Sequence, residues 1–73
     1  MLRKYLNHRR DVKATERRIE ILSEIISELK HRCEETNDMA EKSYLILLEL
    51  KFIKDLDFEK DIYRKQTGKY YGD

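Results

Sequence analysis

Cys33-Glu34-Glu35-Thr36-Asn37-Asp38 decides the fold, because nowhere else before the final residues do several turn-prone polar side chains gather. The 73-residue chain has no proline, and its two glycines, Gly68 and Gly72, fall at the end. Nothing else breaks a helix on either side of the turn. Asp38 followed by Glu41 approximates a capping box, with Thr36 or Asn37 as alternative caps. The chain therefore divides into a first helix at about 3–34, a turn at 35–38 and a second helix at about 39–66, stopped by Thr67-Gly68. Residues 68–73 read as a flexible tail. Each helix would run roughly 45 Å at about 1.5 Å per residue. So short a connection favours antiparallel neighbours, and the expected fold class is all-α, a two-helix antiparallel hairpin.

The first helix carries a seam of alternating three- and four-residue spacings: Tyr5, His8, Val12, Thr15, Ile19, Leu22, Ile26, Leu29 and Cys33. From Val12 onward it reads as packing surface, with Ile21 and Ile25 widening the stripe. The second helix has more apolar surface than one partner can cover. Leu45, Leu48, Phe52, Leu56 and Tyr63 share one side of a helical wheel, Ile46, Leu50 and Ile53 an adjacent side, and Leu47 and Phe58 lie further round. Each large aliphatic side chain left wet forgoes about 1.5–3 kcal/mol. Dimerisation of two hairpins into a four-helix bundle is the expected remedy, since a chain this short has little core of its own.

Charge is plentiful but balanced, with 16 Lys+Arg against 15 Asp+Glu. Residues 1–18 carry +5, residues 19–41 carry −5 and residues 42–73 carry +1. Folding back at 35–38 sets residue i near 73 − i, so Arg17 and Arg18 are expected across from Asp55 and Asp57, and Lys13 near Asp61. Such pairs specify register more than they stabilise.

The near-zero net charge argues against a bulk nucleic-acid binder, and the 40% apolar content against a disordered chain. Met1-Leu2-Arg3-Lys4 does not open a signal peptide, and the longest apolar run, Tyr44 to Leu48, is far below the roughly 20 residues of a membrane span. With one cysteine, Cys33, a reducing cytoplasm is the expected location.

Motifs for catalysis are sparse. Glu28-Leu29-Lys30-His31 has the Glu-x-x-His spacing of di-metal bundles, but with Ile26 and Leu29 facing inward both ligands point to solvent, and Glu49 lies outside the main apolar face of the other helix. His31-x-Cys33 is an incomplete zinc half-site, and Cys33 reads as a small core thiol at the end of the seam. Ser23, Ser27 and Ser43 have no histidine and acid at triad spacing, and no glycine-rich phosphate loop exists. No catalytic residue, cofactor, metal or small-molecule substrate is expected.

Two surfaces remain as functional candidates. Ile46, Leu47, Leu50, Ile53 and Phe58 are expected to bind a protein partner, by presenting a rigid helix face. Arg3, Lys4, Arg9 and Arg10, with Tyr5 and His8 among them, are the alternative, a phosphate-tracking nucleic-acid contact. Tyr70-Tyr71 in the basic tail could stack on a partner or fold back over the open end of the hairpin near Leu2, Tyr5 and Leu6. A hairpin that dimerises in this way resembles, in architecture alone, the Rop-type bundles that act on RNA. The expected function is that of a small non-enzymatic regulator, of the adaptor, inhibitor or co-chaperone type, such as phages and mobile elements carry.

Overall fold

The computed structural model describes the backbone of residues 2–72 and the side chains of residues 8–72. Helix α1 runs Leu2–Glu35 and helix α2 runs Met39–Thr67, and the two pack against each other as an antiparallel hairpin of 56 × 18 × 15 Å. The shape follows from the absence of breakers, because 34 helical residues at about 1.5 Å each reach about 51 Å.

The turn is built by the polar residues that announce it. The Thr36 amide closes the end of α1 by donating to the Arg32 carbonyl at 3.1 Å. Asp38 then caps α2 from an extended backbone, its Oδ1 accepting from the Ala40 amide at 3.0 Å. Only half of the expected capping box forms. The Asp38 amide donates to Thr36 Oγ1 at 3.3 Å, so Thr36 takes the place that Glu41 would have filled. At the other end Gly68 takes the left-handed conformation at φ 74°, and its amide donates to the Arg64 carbonyl at 2.7 Å.

The core lies along one seam. On α1, Thr15, Ile19 and Ile26 are buried, and Val12, Leu22, Leu29 and Cys33 are half-buried, as the spacing predicts; His8 is exposed, and the Tyr5 side chain lies outside the described residues. The buried Thr15 hydroxyl is satisfied locally. It donates to the Asp11 carbonyl at 3.0 Å and accepts from Arg18 Nη2 at 3.2 Å.

On α2 the buried side is not the purely apolar one. Lys42, Leu45, Glu49, Phe52, Leu56, Glu59, Tyr63 and Gln66 recur at alternating spacings of three and four, and all are buried or half-buried. Glu49 therefore sits on the seam, contrary to its expected place off the packed face. Both seam glutamates are tied to α1: Glu59 accepts from Arg18 Nε at 3.0 Å, and Glu49 lies 3.9 Å from Lys30 Nζ.

These pairs correct the expected charge register. Arg18 meets Glu59, four residues beyond Asp55, and Lys30 meets Glu49, six residues beyond position 43. Side chains lean toward their own helix N-terminus, so in an antiparallel pair the tips lean in opposite directions and meet about one turn beyond the backbone register. Lys13 and Arg17 face away from α2, along the outer surface of α1 with Glu16, Glu20 and Glu24, and Asp61 pairs with Lys65 at 3.1 Å within its own helix.

Asp38→Ala should cost about 1 kcal/mol by removing the α2 cap, and Gly68→Ala about 1–2 kcal/mol through its positive φ, although a methyl there meets open space. Ile19→Ala at the fully buried centre should cost about 2–5 kcal/mol. Urea unfolding followed by far-ultraviolet circular dichroism ranks the three.

Candidate interaction surface

With one stripe of each helix used by the hairpin, the rest of α2 stays wet. Among the described residues the buried apolar side chains are Ile19, Ile26 and Leu45, whereas Leu47 and Phe58 are 66% and 65% exposed and Ile21, Tyr44, Ile46 and Leu50 are also exposed. Native surfaces carry scattered apolar residues, but a run of them along one helix marks a contact surface.

The five residues expected to act together divide between two flanks. Ile46, Leu50 and Ile53, spaced by four and three, form one strip next to Glu49. The neighbouring surface of α1 is polar on this side, and a shallow depression there is lined by Lys30, Cys33, Glu34, Lys42 and Glu49. Leu47 and Phe58 are eleven residues apart and so lie within about 20° of one another at roughly 100° per residue, beyond Leu50 on the outer side of α2. Phe58 borders a groove of about 320 Å³ on the opposite flank, with Asp55 and Glu59 of α2 and Arg18, Ile21 and Leu22 of α1. Ile21 was legible only as an extension of the core stripe; its 46% exposure makes it part of this groove instead. In this groove both helices offer apolar side chains to solvent, Ile21 and Leu22 from α1 and Phe58 from α2.

Electrostatics distinguish the two ends of the rod. Residues 2–18 and 56–72 form the open half, with eleven basic and five acidic side chains, while residues 19–55 form the connection half, with five basic and nine acidic ones; Asp73 completes the total. The halves thus differ as +6 against −4. Arg9 and Arg10 are exposed on the basic half, and the side chains of Arg3 and Lys4 lie outside the described residues.

The remaining candidates are placed as follows. Glu28 is exposed, and His31 Nε2 lies 3.1 Å from Glu35 Oε1 on the same helix. Cys33 is free and half-buried. Among the described residues no group of three or more His, Cys, Asp or Glu side chains is placed to hold a metal ion, and no helix is long and apolar enough to cross a membrane. The tail turns back on α2. Tyr71 packs edge-on against Tyr63 with ring centroids 5.3 Å apart, while Tyr70 accepts from Arg64 Nη1 at 3.1 Å and lies under its guanidinium. Thr67 Oγ1 accepts from the Lys69 amide at 3.1 Å and helps fix the reversal.

Comparison with protein-family models, with curated proteins and with solved structures gives no match.

The two inter-helix ion pairs should differ in strength. A double-mutant cycle on Arg18 and Glu59, at 3.0 Å with Glu59 only 16% exposed, should give coupling of about 1 kcal/mol, and one on Lys30 and Glu49, at 3.9 Å, close to zero. Urea denaturation of the four variants of each cycle reads both.

Proposed function

We propose that this chain is a small non-enzymatic interaction module that works as a homodimer and binds a protein partner through an exposed helix face, in the manner of an adaptor, inhibitor or co-chaperone. The observation that carries the reading is the imbalance between a hairpin core of Ile19, Ile26 and Leu45 and the large apolar side chains left wet, above all Leu47, Leu50 and Phe58 on α2. Covering such side chains yields about 1.5–3 kcal/mol each. The packing of α1 on α2 leaves them exposed, whereas a second subunit and a partner helix each could cover them. The separation of the apolar residues into two flanks supports two distinct uses, with the narrow Ile46, Leu50 and Ile53 strip left for the partner.

A second reading is favoured by the lengthwise charge asymmetry. The open half at +6, with Arg9 and Arg10 exposed, suits contact with a phosphate backbone.

Light scattering at low micromolar concentration should give about twice the 9.0 kDa chain mass; a well-folded 9.0 kDa species would defeat the homodimer reading. Ile46→Asp or Leu50→Asp should abolish capture of the protein partner while Arg9→Ala and Arg10→Ala leave it intact, and the mass of each variant shows whether dimerisation was touched. Titration with unrelated RNA and DNA decides the second reading: absence of binding at low salt removes it, and binding that weakens steeply with salt supports it.

A further inference from the structure

We infer that the second copy docks head to tail on the flank bearing Ile21 and Phe58, about a two-fold axis that crosses α1 near residue 23 and α2 near residue 53. The inference rests on the homodimer reading above and adds to it the face, the direction and the register.

On α2 a second heptad strip runs beside the hairpin seam. It consists of Tyr44, Leu48, Lys51, Asp55, Phe58 and Ile62, at alternating spacings of four and three, and none of these residues is buried. The strip has the same character read from either end, with two apolar residues, a charge, the opposite charge and two apolar residues. An antiparallel copy centred between Lys51 and Asp55 therefore sets Leu48 against Phe58, Tyr44 against Ile62, and Lys51 against Asp55, each pairing occurring twice, as a two-fold interface requires.

The outer strip of α1 has the same property. Arg18, Ile21, Ile25 and Glu28, at spacings of three, four and three, are exposed or half-buried. About residue 23 an antiparallel copy sets Ile21 against Ile25 and Arg18 against Glu28. One rotation serves both strips, because side chains at positions 23 and 53 reach the same height along the rod. The Arg18–Glu59 bridge fixes this height: residue 23 is five positions from Arg18 and residue 53 is six from Glu59, both toward the connection. The groove that joins Arg18 and Ile21 to Asp55 and Phe58 places the two strips on one face.

Direction follows from charge. Head to tail, this register brings Arg9 and Arg10 of each copy level with the acidic connection of the other, at Glu34, Glu35 and Asp38, and keeps the two +6 open halves apart. Head to head, like ends would meet, and the register of the hairpin itself would put Ile21 and Ile25 of one copy beside Asp55 and Lys51 of the other. That arrangement sets apolar side chains against charges on both strips.

Charge reversal tests the register. Lys51→Asp places two acids, and Asp55→Lys two bases, on each side of the two-fold, so each variant alone should dimerise roughly tenfold or more weakly than the parent. An equimolar mixture of the two variants re-forms both opposite-charge pairs and should return to about twice 9.0 kDa by light scattering. Direction is read separately on a Cys33→Ser, Asn37→Cys chain carrying a nitroxide on its connection. The two labels should lie roughly 40 Å apart head to tail, from about 1.5 Å per residue to the axis. A dimeric parent whose single reversals keep parental affinity, or whose mixture fails to recover, or whose connections lie within about 20 Å of each other, overturns the docking proposed here and leaves the homodimer reading standing. A folded parent of 9.0 kDa overturns that reading, and the docking with it.

Discussion

Two straight helices can cover each other along only one stripe, and most features of this protein follow from that limit. The stripe on α1 is apolar except for Thr15, whose hydroxyl is satisfied within its own helix and by Arg18. The stripe on α2 gives two of its positions to Glu49 and Glu59, each drawn to a base on α1. Beside the seam residues Leu45, Phe52, Leu56 and Tyr63, a second set of large apolar residues of α2, among them Tyr44, Ile46, Leu47, Leu50 and Phe58, is left off the seam. The hairpin thus mixes apolar packing with polar contacts along its seam while many large apolar side chains of α2 point outward. A monomer optimised for its own stability would place those residues the other way round.

Charge works at two scales. Locally, Arg18 links the Thr15 hydroxyl and the Glu59 carboxylate into one small network across the helices. Over the whole rod, the helices do not cancel each other's charge as a position-by-position reading of the sequence suggests. The α2 residues beside the basic start of α1 are themselves nearly neutral, because Lys60, Arg64, Lys65 and Lys69 offset the acids there. The net charge of +1 conceals a rod that is basic at its open end and acidic at its connection. The two functional readings draw on this same polarity. A basic end can lie along an acidic end of another copy or along a phosphate backbone, and neutralisation by the first leaves less for the second.

Much of the hairpin was legible from residue order. The helix limits, the Asp38 cap and the Gly68 stop follow from local chemistry, and the α1 seam from Val12 onward follows from its apolar spacing. On α2 the apolar spacing marks Leu45, Phe52, Leu56 and Tyr63, which do lie on the seam, but not Glu49 and Glu59 between them, since neither is apolar. Their partners on α1 are 19 and 41 residues away, and nothing in the spacing along α2 points to them. The placement of the exposed apolar residues is legible only in part for the same reason. Ile46, Leu50 and Ile53 share a strip by spacing alone, but Phe58 turns to a groove with Ile21, which lies on the other helix.

The sequence by itself determined two helices, their ends and the direction of the chain reversal, since each depends on neighbours within a few residues: an absent breaker, a capping carboxylate, a glycine free to take positive φ. Only the tertiary structure decided the lateral register and the rotation of α2 about its axis. These depend on how far leaning side chains reach across a helix pair, and on a seam of α2 that includes two glutamates, one of them bridged to Arg18 of α1 at 3.0 Å. That rotation is what sorts the apolar residues of α2 into covered and exposed, and so defines the surfaces on which the function is proposed to rest.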